Sequence, residues 1–332
     1  MAEPPVTATA SRLDRLDVRA LDPPPRLIMN PRAGHKLGVA TNAAGVELVC
    51  RTLEGAGLQV VLQPTERPKH ATELARAAVK DGCKLVIAAG GDGTVAEAGE
   101  GLAESDTALG IMPLGSIMNL ARTLCIPRDL EAAARVIAAG RVLAMDAGRV
   151  GGAYFLEAGG VGLAAGLFGY FERVDTGRVG WRGAVRGALR FLTNLGSPRL
   201  SMDLDGQHLE VRSPMVTVAN APFVGAAYAL APGALVDDGL LDVVIFRGSS
   251  VPRVLLHLAL VAGGRRLPPP ADVEVRRARR IRIATRRRRP LPVHADGSVV
   301  GATPTEFEVL PAALRVLVGD PDENATCAWA RD

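Results

Sequence analysis

The sequence predicts an α/β chain in two domains: a parallel sheet covered by helices on both faces, then a mainly antiparallel β domain. Three observations predict it. Over residues 26–146 short apolar runs alternate with segments of helical periodicity, the pattern of strands joined by right-handed helical crossovers. Past Asp146 the pattern becomes period-two runs separated by glycine-containing turns, which is how antiparallel hairpins read. The 332 residues are long for one compact domain and sufficient for two with separate cores. The expected division is a flexible leader over 1–25, an α/β domain over 26–146, a β-rich domain over 147–319 and a loose polar tail over 320–332.

Residues 27–29 are a short apolar run ending in the turn composition Asn30-Pro31-Arg32-Ala33-Gly34, and a helical stretch follows to about Glu54. The next strand is expected at 58–62. Pro68 opens a helix with apolar residues at Ala71, Leu74, Ala75, Ala78 and Val79, and Gly82 stops it; proline in the first turn and glycine past the last fit the usual asymmetry. Strands at 85–89 and 108–112, and helices at 95–102, 118–124 and from Asp129 to Gly140, complete the first domain. In the second domain, hairpins are expected where Gly151-Gly152 separates 143–150 from 153–158 and where Asp205-Gly206 separates 200–204 from 208–211. Further strands are expected at 215–219, 240–246, 281–284, 306–310 and 314–318, with helices interrupting at 182–195 and 251–262.

Hydrophobic residues make up 48% and charged residues 22% of the chain, a globular composition that excludes disorder as the bulk state. The four cysteines, Cys50, Cys83, Cys125 and Cys327, lie far apart with no CxxC pair. That spacing argues against a disulfide framework or a zinc site and for a reducing, cytoplasmic compartment. The five histidines show no metal-ligand spacing. The first 25 residues hold Pro4, Pro5 and Pro23-Pro24-Pro25 without the apolar core of a secretory signal. No stretch reaches the roughly 18 apolar residues of a membrane span; the best, 254–263, is short and contains His257.

The formal charge is only +4, but arginines gather at 276, 277, 279, 280 and 282 and again at 286–289. The cluster Arg276 to Arg289 can attract an anionic membrane surface; the plain alternative is a solvated basic loop between strands. Nucleic acid is not expected as a partner, because the cluster lacks the aromatic interleaving of a single-strand binder. The sequence leaves a homodimer open.

The strand at 85–89 runs into Gly90-Gly91-Asp92-Gly93-Thr94, and a helix follows at once. Amides at a helix start are unpaired and the helix dipole favours negative charge there, while three glycines let the backbone approach an anion closely. Phosphate is the expected guest. The lysine of a GxxxxGK[ST] loop is missing, and Val95 or Ala96 stands where GxGxxG would need glycine. The alternative is a tight strand-to-helix turn in which Asp92 or Thr94 caps the helix.

The string Gly90-Gly91-Asp92-Gly93-Thr94 resembles the GGDGT signature of the superfamily that holds diacylglycerol kinases, sphingosine kinases, NAD kinases and, more remotely, phosphofructokinases. Other segments resemble the diacylglycerol kinase branch, the soluble bacterial lipid kinases. Asn30-Pro31-Arg32-Ala33-Gly34 is similar to its NPxSG turn, and Glu97 falls where it reads GGDGTxNE, with Ala96 replacing asparagine. Gly110-Ile111-Met112-Pro113-Leu114-Gly115-Ser116, followed after two residues by Asn119-Leu120-Ala121-Arg122, is similar to GxxPLGTGNDFAR. Leu230-Ala231-Pro232 and Asp237-Asp238-Gly239-Leu240-Leu241-Asp242-Val243 resemble its LAP and DDGLLDV segments. The matches keep the family's order from 27 to 318.

The resemblance implies a Rossmann-like first domain of NAD-kinase-like topology, a C-terminal β-sandwich, and ATP with Mg2+ as cofactors. It implies an ATP site built from Asn30, Gly90, Gly91, Asp92, Gly93, Thr94, Glu97, Gly115, Ser116 and Asn119. Asp92 and Asp146 would act in catalysis by organising magnesium through water. Between them the family has a further aspartate; here Asn119 stands in its place, after Met118 where asparagine is usual, and an amide holds water but brings no charge. The family's basic glutamate closes a DGE string, and the matching string is Asp296-Gly297-Ser298. Serine alone is not a useful proton acceptor at neutral pH, which leaves Asp296 or His294 as the catalytic base, or Asp296-Gly297 as a plain hairpin turn. Asp238 matches an aspartate that holds a structural magnesium, the alternative being a turn aspartate beside Gly239.

These residues leave three functions to weigh. The first is ATP-dependent transfer of the γ-phosphate to the hydroxyl of diacylglycerol or a related lipid, by a cytoplasmic protein peripheral at the inner membrane surface. The second is a nucleotide- or lipid-binding regulatory homologue that has lost its base. NAD kinase comes third, because the lipid kinase strings of the second domain have no counterpart there.

Overall fold

The computed structural model describes residues 13–33, 35–36, 39–40, 45–175, 180–224, 228–262, 272–286, 290–321 and 327–329. The chain divides into two compact units, one built from Met1–Asp146, Leu235–Gly239 and Pro311–Asp332, the other from Ala147–Ala234 and Leu240–Leu310. The main segment of the first unit ends at Asp146, and 235–239 and 311–332 return to that unit, which no local sequence pattern indicates.

The first unit holds a parallel sheet in the order Thr305–Leu317, Ala108–Pro113, Leu85–Gly90, Arg26–Met29, Val61–Pro64. Leu85–Gly90 and Ala108–Pro113 are buried at every position, as continuous apolar strands are when both faces are covered. The strand expected at 58–62 lies at Val61–Pro64, where Val61 and Leu62 are exposed at the sheet edge and Leu58, ahead of the strand, is buried. The runs at 306–310 and 314–318 are one strand, Thr305–Leu317, whose last part adds to this sheet through Arg315 and Val316 beside Ala108 and Leu109.

The helices Val46–Gly55, His70–Lys80, Asp92–Leu102, Asn119–Thr123 and Leu130–Ala139 follow the expected periodicity. Pro68 lies outside its helix, which begins after Lys69 in the left-handed region (φ 64). His70–Lys80 packs on Asp92–Leu102 through small residues: a Cβ on Gly101 would lie 2.6 Å from both the Ala75 Cβ and the Thr72 carbonyl oxygen. Asp129 caps Leu130–Ala139 by accepting from the Ala132 amide at 2.8 Å, and Gly140 ends it at φ 65.

Both chain ends depart from expectation. Leu13–Arg15 pairs antiparallel with residues 141–143, and Val18 is buried, so the later part of the leader is built into the unit; residues 1–12 lie outside the described residues. The tail is not loose where it is described: Ala328 and Trp329 are buried, and the Ala328 amide donates to the Thr123 carbonyl at 3.2 Å. Cys327 is disulfide-bonded to Cys125 across 202 residues of sequence, a pairing that the spacing argument misses, while Cys50 and Cys83 are free.

The second unit is a β-sandwich. One sheet runs Gln207–Arg212, Arg199–Leu204, Arg280–Thr285, Thr305–Leu317, and the other runs Val273–Ala278, Leu241–Phe246, Met215–Ala219, Ala158–Gly162, Pro292–Ala295, Ser298–Ala302, antiparallel throughout. Alternate residues Leu200, Met202, Ile281 and Ile283 of the first share one core with Val216, Val218, Val243 and Ile245 of the second. Phe155 and Phe307 meet edge to face in it, 6.2 Å between centroids. Helices Trp181–Leu195 and Val251–Ala262 lie where expected, and Leu163–Asp175 is a helix that periodicity did not reveal. Among the described residues no helix is long and apolar enough to cross a membrane.

Candidate functional site

Gly90 ends its strand, and Gly91 precedes the helix Asp92–Leu102 in extended conformation with no side-chain cap. Neither Asp92 nor Thr94 caps this helix, which removes the capped-turn alternative. Its first intrahelical bond runs from the Val95 amide to the Gly91 carbonyl at 3.1 Å. The amides of Asp92, Gly93 and Thr94 therefore precede the helical ladder at the positive end of the dipole. Gly90 has no room for a side chain, since a Cβ would lie 2.5 Å from the Thr94 Cβ and Oγ1. Thr94 Oγ1 accepts from Asn30 Nδ2 at 3.4 Å, and Asn30 closes its own turn, its Oδ1 accepting from the Arg32 amide at 2.9 Å. Gly34 lies outside the described residues.

Asp92 turns its carboxylate away from its own helix. Its two oxygens accept from the amides of Met118 (2.9 Å) and Asn119 (2.8 Å), capping the short helix Asn119–Thr123 behind left-handed Met118 (φ 57). The two loops touch: a Cβ on Gly115 would lie 2.7 Å from the Gly91 Cα, and the Leu114 amide donates to the Gly90 carbonyl at 3.0 Å. Arg128 donates to the carbonyls of Gly115 (2.8 Å) and Ser116 (2.9 Å). Arg128 belongs to no motif and stands just ahead of the Asp129 cap, so sequence reasoning passes over it. Asn30, 90–94 and 115–119 thus converge at the carboxyl ends of three parallel strands, where such sheets bind ligands.

Other residues assigned to the site do different work. Glu97 Oε1 accepts from the Lys69 amide at 2.9 Å, tying the start of the neighbouring helix rather than facing a ligand. Asp146 is buried, with Oδ2 accepting from the Gly239 amide at 2.6 Å and Oδ1 from the Ala312 amide at 2.8 Å. Burial pushes its carboxyl up to about 6, with Asp238 and Asp237 adding to the push and the two amide bonds opposing it. Asp238 is half-buried in the turn that ends at Gly239 (φ 70). Among the described residues no group of three or more His, Cys, Asp or Glu side chains could hold a metal ion. Each oxygen of Asp92 and of Asp146 accepts one amide and keeps a further lone pair, which fits the expected contact with magnesium through water.

The second unit corrects the choice of base. Asp296 (φ 41) and Gly297 (φ 82) form the turn between Pro292–Ala295 and Ser298–Ala302. The Asp296 carboxylate faces inward and accepts from the amides of Leu156 (2.7 Å), Glu157 (3.0 Å) and Ala158 (3.0 Å). It anchors a segment of this unit and is not placed to take a substrate proton. His294 is buried, its ring edge-on to Phe168 at 5.0 Å, and burial pushes it down to about 4, which makes it a poor proton acceptor at neutral pH. Ser298 is exposed.

The basic cluster is also less bare than its sequence suggests. Arg276 pairs with Glu274 (2.6 Å), Arg277 with Asp242 (3.4 Å), Arg280 with Glu306 (3.2 Å), Arg282 with Glu306 (2.5 Å) and Arg286 with Glu210. Arg287, Arg288 and Arg289 lie outside the described residues.

A parallel sheet with this glycine loop, followed by a β-sandwich, defines a protein class that direct comparison identifies. Residues 24–150 match the diacylglycerol kinase catalytic domain, and residues 177–318 match the YegS C-terminal NAD kinase beta sandwich-like domain. Residues 24–150 thus carry a diacylglycerol kinase catalytic domain, and the similar proteins are named diacylglycerol kinases or YegS-like lipid kinases. A diacylglycerol kinase of Bacillus subtilis is 28% identical over 306 residues, 90% of this chain and 97% of its own length. A probable YegS-like lipid kinase of Pseudomonas fluorescens is 29% identical over 289 residues, 83% of this chain and 90% of its own. The crystal structure of a diacylglycerol kinase from Bacillus anthracis shares the fold, with a TM-score of 0.68 at 24% identity, covering 89% of this chain and 97% of that one.

Proposed function

We propose that this chain is an ATP-dependent lipid kinase that transfers the γ-phosphate of ATP to the hydroxyl of diacylglycerol or a related lipid, working peripherally at the inner face of a membrane. The observation that carries the proposal is the two-oxygen grip of Asp92 on the amides of Met118 and Asn119. It fixes the loop at 115–119 against the helix start whose amides at 92–94 are free of the helical ladder. Phosphoryl transfer depends on positioned donors at the phosphate oxygens, and these amides supply them with the helix dipole behind. Magnesium would enter with the nucleotide phosphates.

The test is a labelled-ATP assay of the purified protein across diacylglycerol, monoacylglycerol, phosphatidylglycerol and sphingoid bases, with Asp92→Ala as control. Transfer to one class, abolished in the control, is the expected result. Tight ATP binding with no transfer to any lipid would instead support a regulatory homologue. That second reading is favoured by the inward-turned Asp296 and by Ser298, which stands where the family has its base. Ser298→Glu separates the two, since a gain in transfer marks a weakened kinase.

A further inference from the structure

We propose that the outer face of the helix Trp181–Leu195 docks onto an anionic lipid bilayer. From 176 to 202 the sequence contains arginines at 178, 182, 186, 190 and 199 and no aspartate or glutamate. The inner face of the helix is fixed. Ala184 and Leu195 are buried; the Tyr170 ring closes over Gly187, where a Cβ would lie 2.5 Å from it, and Phe191 covers Gly166, where a Cβ would lie 2.1 Å away. Tyr170 and Phe191 lie 6.3 Å apart, so the helix is keyed to Leu163–Asp175 in one rotation.

That rotation presents Arg182, Val185, Arg186, Leu189 and Arg190 to solvent, residues spaced three and four apart and hence on one face. Val185 is 42% and Leu189 58% exposed, an apolar ridge beside a line of arginines. Among the described residues no carboxylate lies within ion-pairing distance of Arg182, Arg186 or Arg190. The arginines at 276, 277, 280, 282 and 286 all have such partners. Among the described residues the unit thus pairs five arginines of its larger basic cluster and leaves these three bare beside exposed valine and leucine. Apolar side chains flanked by unpaired arginines suit the boundary between acyl chains and anionic headgroups. A second copy of the chain is the poorer occupant, because a two-fold contact through this face would set the arginine line against itself.

The experiment is co-sedimentation of the full chain with phosphatidylcholine vesicles, with and without phosphatidylserine, in the absence of ATP. Binding should require phosphatidylserine and weaken with salt. Arg182→Glu/Arg186→Glu/Arg190→Glu should lose about a hundredfold or more in affinity, and the single Arg186→Gln about fivefold; Val185→Ser/Leu189→Ser should lose about tenfold. Arg282→Gln, whose parent is already ion-paired, should change affinity less than about threefold. Equal binding to both vesicle types, or an unchanged affinity in Arg186→Gln and in Val185→Ser/Leu189→Ser, overturns the proposal. So does a triple variant that keeps its vesicle affinity but loses self-association or capture of an acidic protein. No phosphoryl transfer enters the readout, so this proposal and the lipid kinase reading fail separately.

Discussion

Two Asp-Gly pairs in this chain use the same chemistry to opposite ends. Asp92 and Asp296 each spend both carboxylate oxygens on backbone amides of a segment remote in sequence, two amides for the first and three for the second. The element after each pair decides the outcome. After Asp92 comes a helix, so the carboxylate can serve a neighbouring loop while the helix's own first amides stay outside the ladder. After Gly297 comes a strand, whose amides enter sheet pairing, and the carboxylate is turned into the sandwich. The first arrangement leaves donors available to an anion and the second leaves none, which is why one Asp-Gly is a candidate site and the other a staple.

The sharpest way to break this comparison is to remove each carboxylate. Asp92→Ala should lower phosphoryl transfer by about a thousandfold, the scale of losing a preorganised electrostatic arrangement, and should also cost about 2 kcal/mol of stability, because the amides of buried Met118 and Asn119 lose their acceptor. Asp92→Asn tests the geometry separately. It keeps one acceptor but turns an NH2 toward the Met118 or Asn119 amide, so transfer should still fall, measured with the same labelled-ATP assay. A variant of either kind that keeps full activity would show that the grip on the second loop is incidental.

Asp296→Ala should act on stability alone. Three buried or half-buried amides lose a charged acceptor, and unsatisfied donors of that kind cost about 1–3 kcal/mol each before water relieves them; a net loss of about 3–4 kcal/mol in denaturant unfolding is the expectation. Asp296→Asn should fall between, because asparagine tolerates the left-handed backbone at φ 41 better than alanine does. ATP affinity by calorimetry should change less than twofold in both. A large loss of affinity would tie Asp296 to the nucleotide site.

The strands around the loop were legible because Leu85–Gly90 and Ala108–Pro113 are buried throughout and therefore read as unbroken apolar runs. Glycine also marked the hairpin turns at Gly151-Gly152 and Asp205-Gly206. The helix Leu163–Asp175 was not legible: its Gly166 and Gly169 make room for Phe191 and Val299, neighbours that only the folded chain supplies. The same limit hid the partners of Asp146, which lie 93 and 166 residues further on, and the bond between Cys125 and Cys327. Motif and periodicity found the loop at 90–94, but the direction of each carboxylate depends on contacts no local pattern encodes.

Gly90→Ala tests whether space at the loop matters as much as charge. The new methyl would meet Thr94 at 2.5 Å, a contact relieved only by shifting the helix start, and overpacking of this kind costs about 1–3 kcal/mol. Because the shift moves the amides at 92–94, ATP affinity should fall along with stability, unlike the separation expected at Asp296. Unchanged affinity despite lowered stability would mean that the phosphates do not lie on this helix start.

The smallest effect concerns pH and sharpens the contrast from the staple's side. His294, two residues before Asp296 in the same hairpin, is held neutral by burial, with its pKa pushed down from 6.5 to about 4. A depressed histidine takes up its proton more readily unfolded than folded. Its contribution is therefore fully present above about pH 6.5 and is lost as pH falls toward 4, on the order of 2 kcal/mol by pH 5. His294→Leu should flatten the stability profile over that window relative to the parent, with ATP affinity unaltered, as followed by urea unfolding at stepped pH. Parallel profiles for the two proteins would show that His294 is protonated or solvated in the fold, and would reopen the hairpin as a place where protons are exchanged.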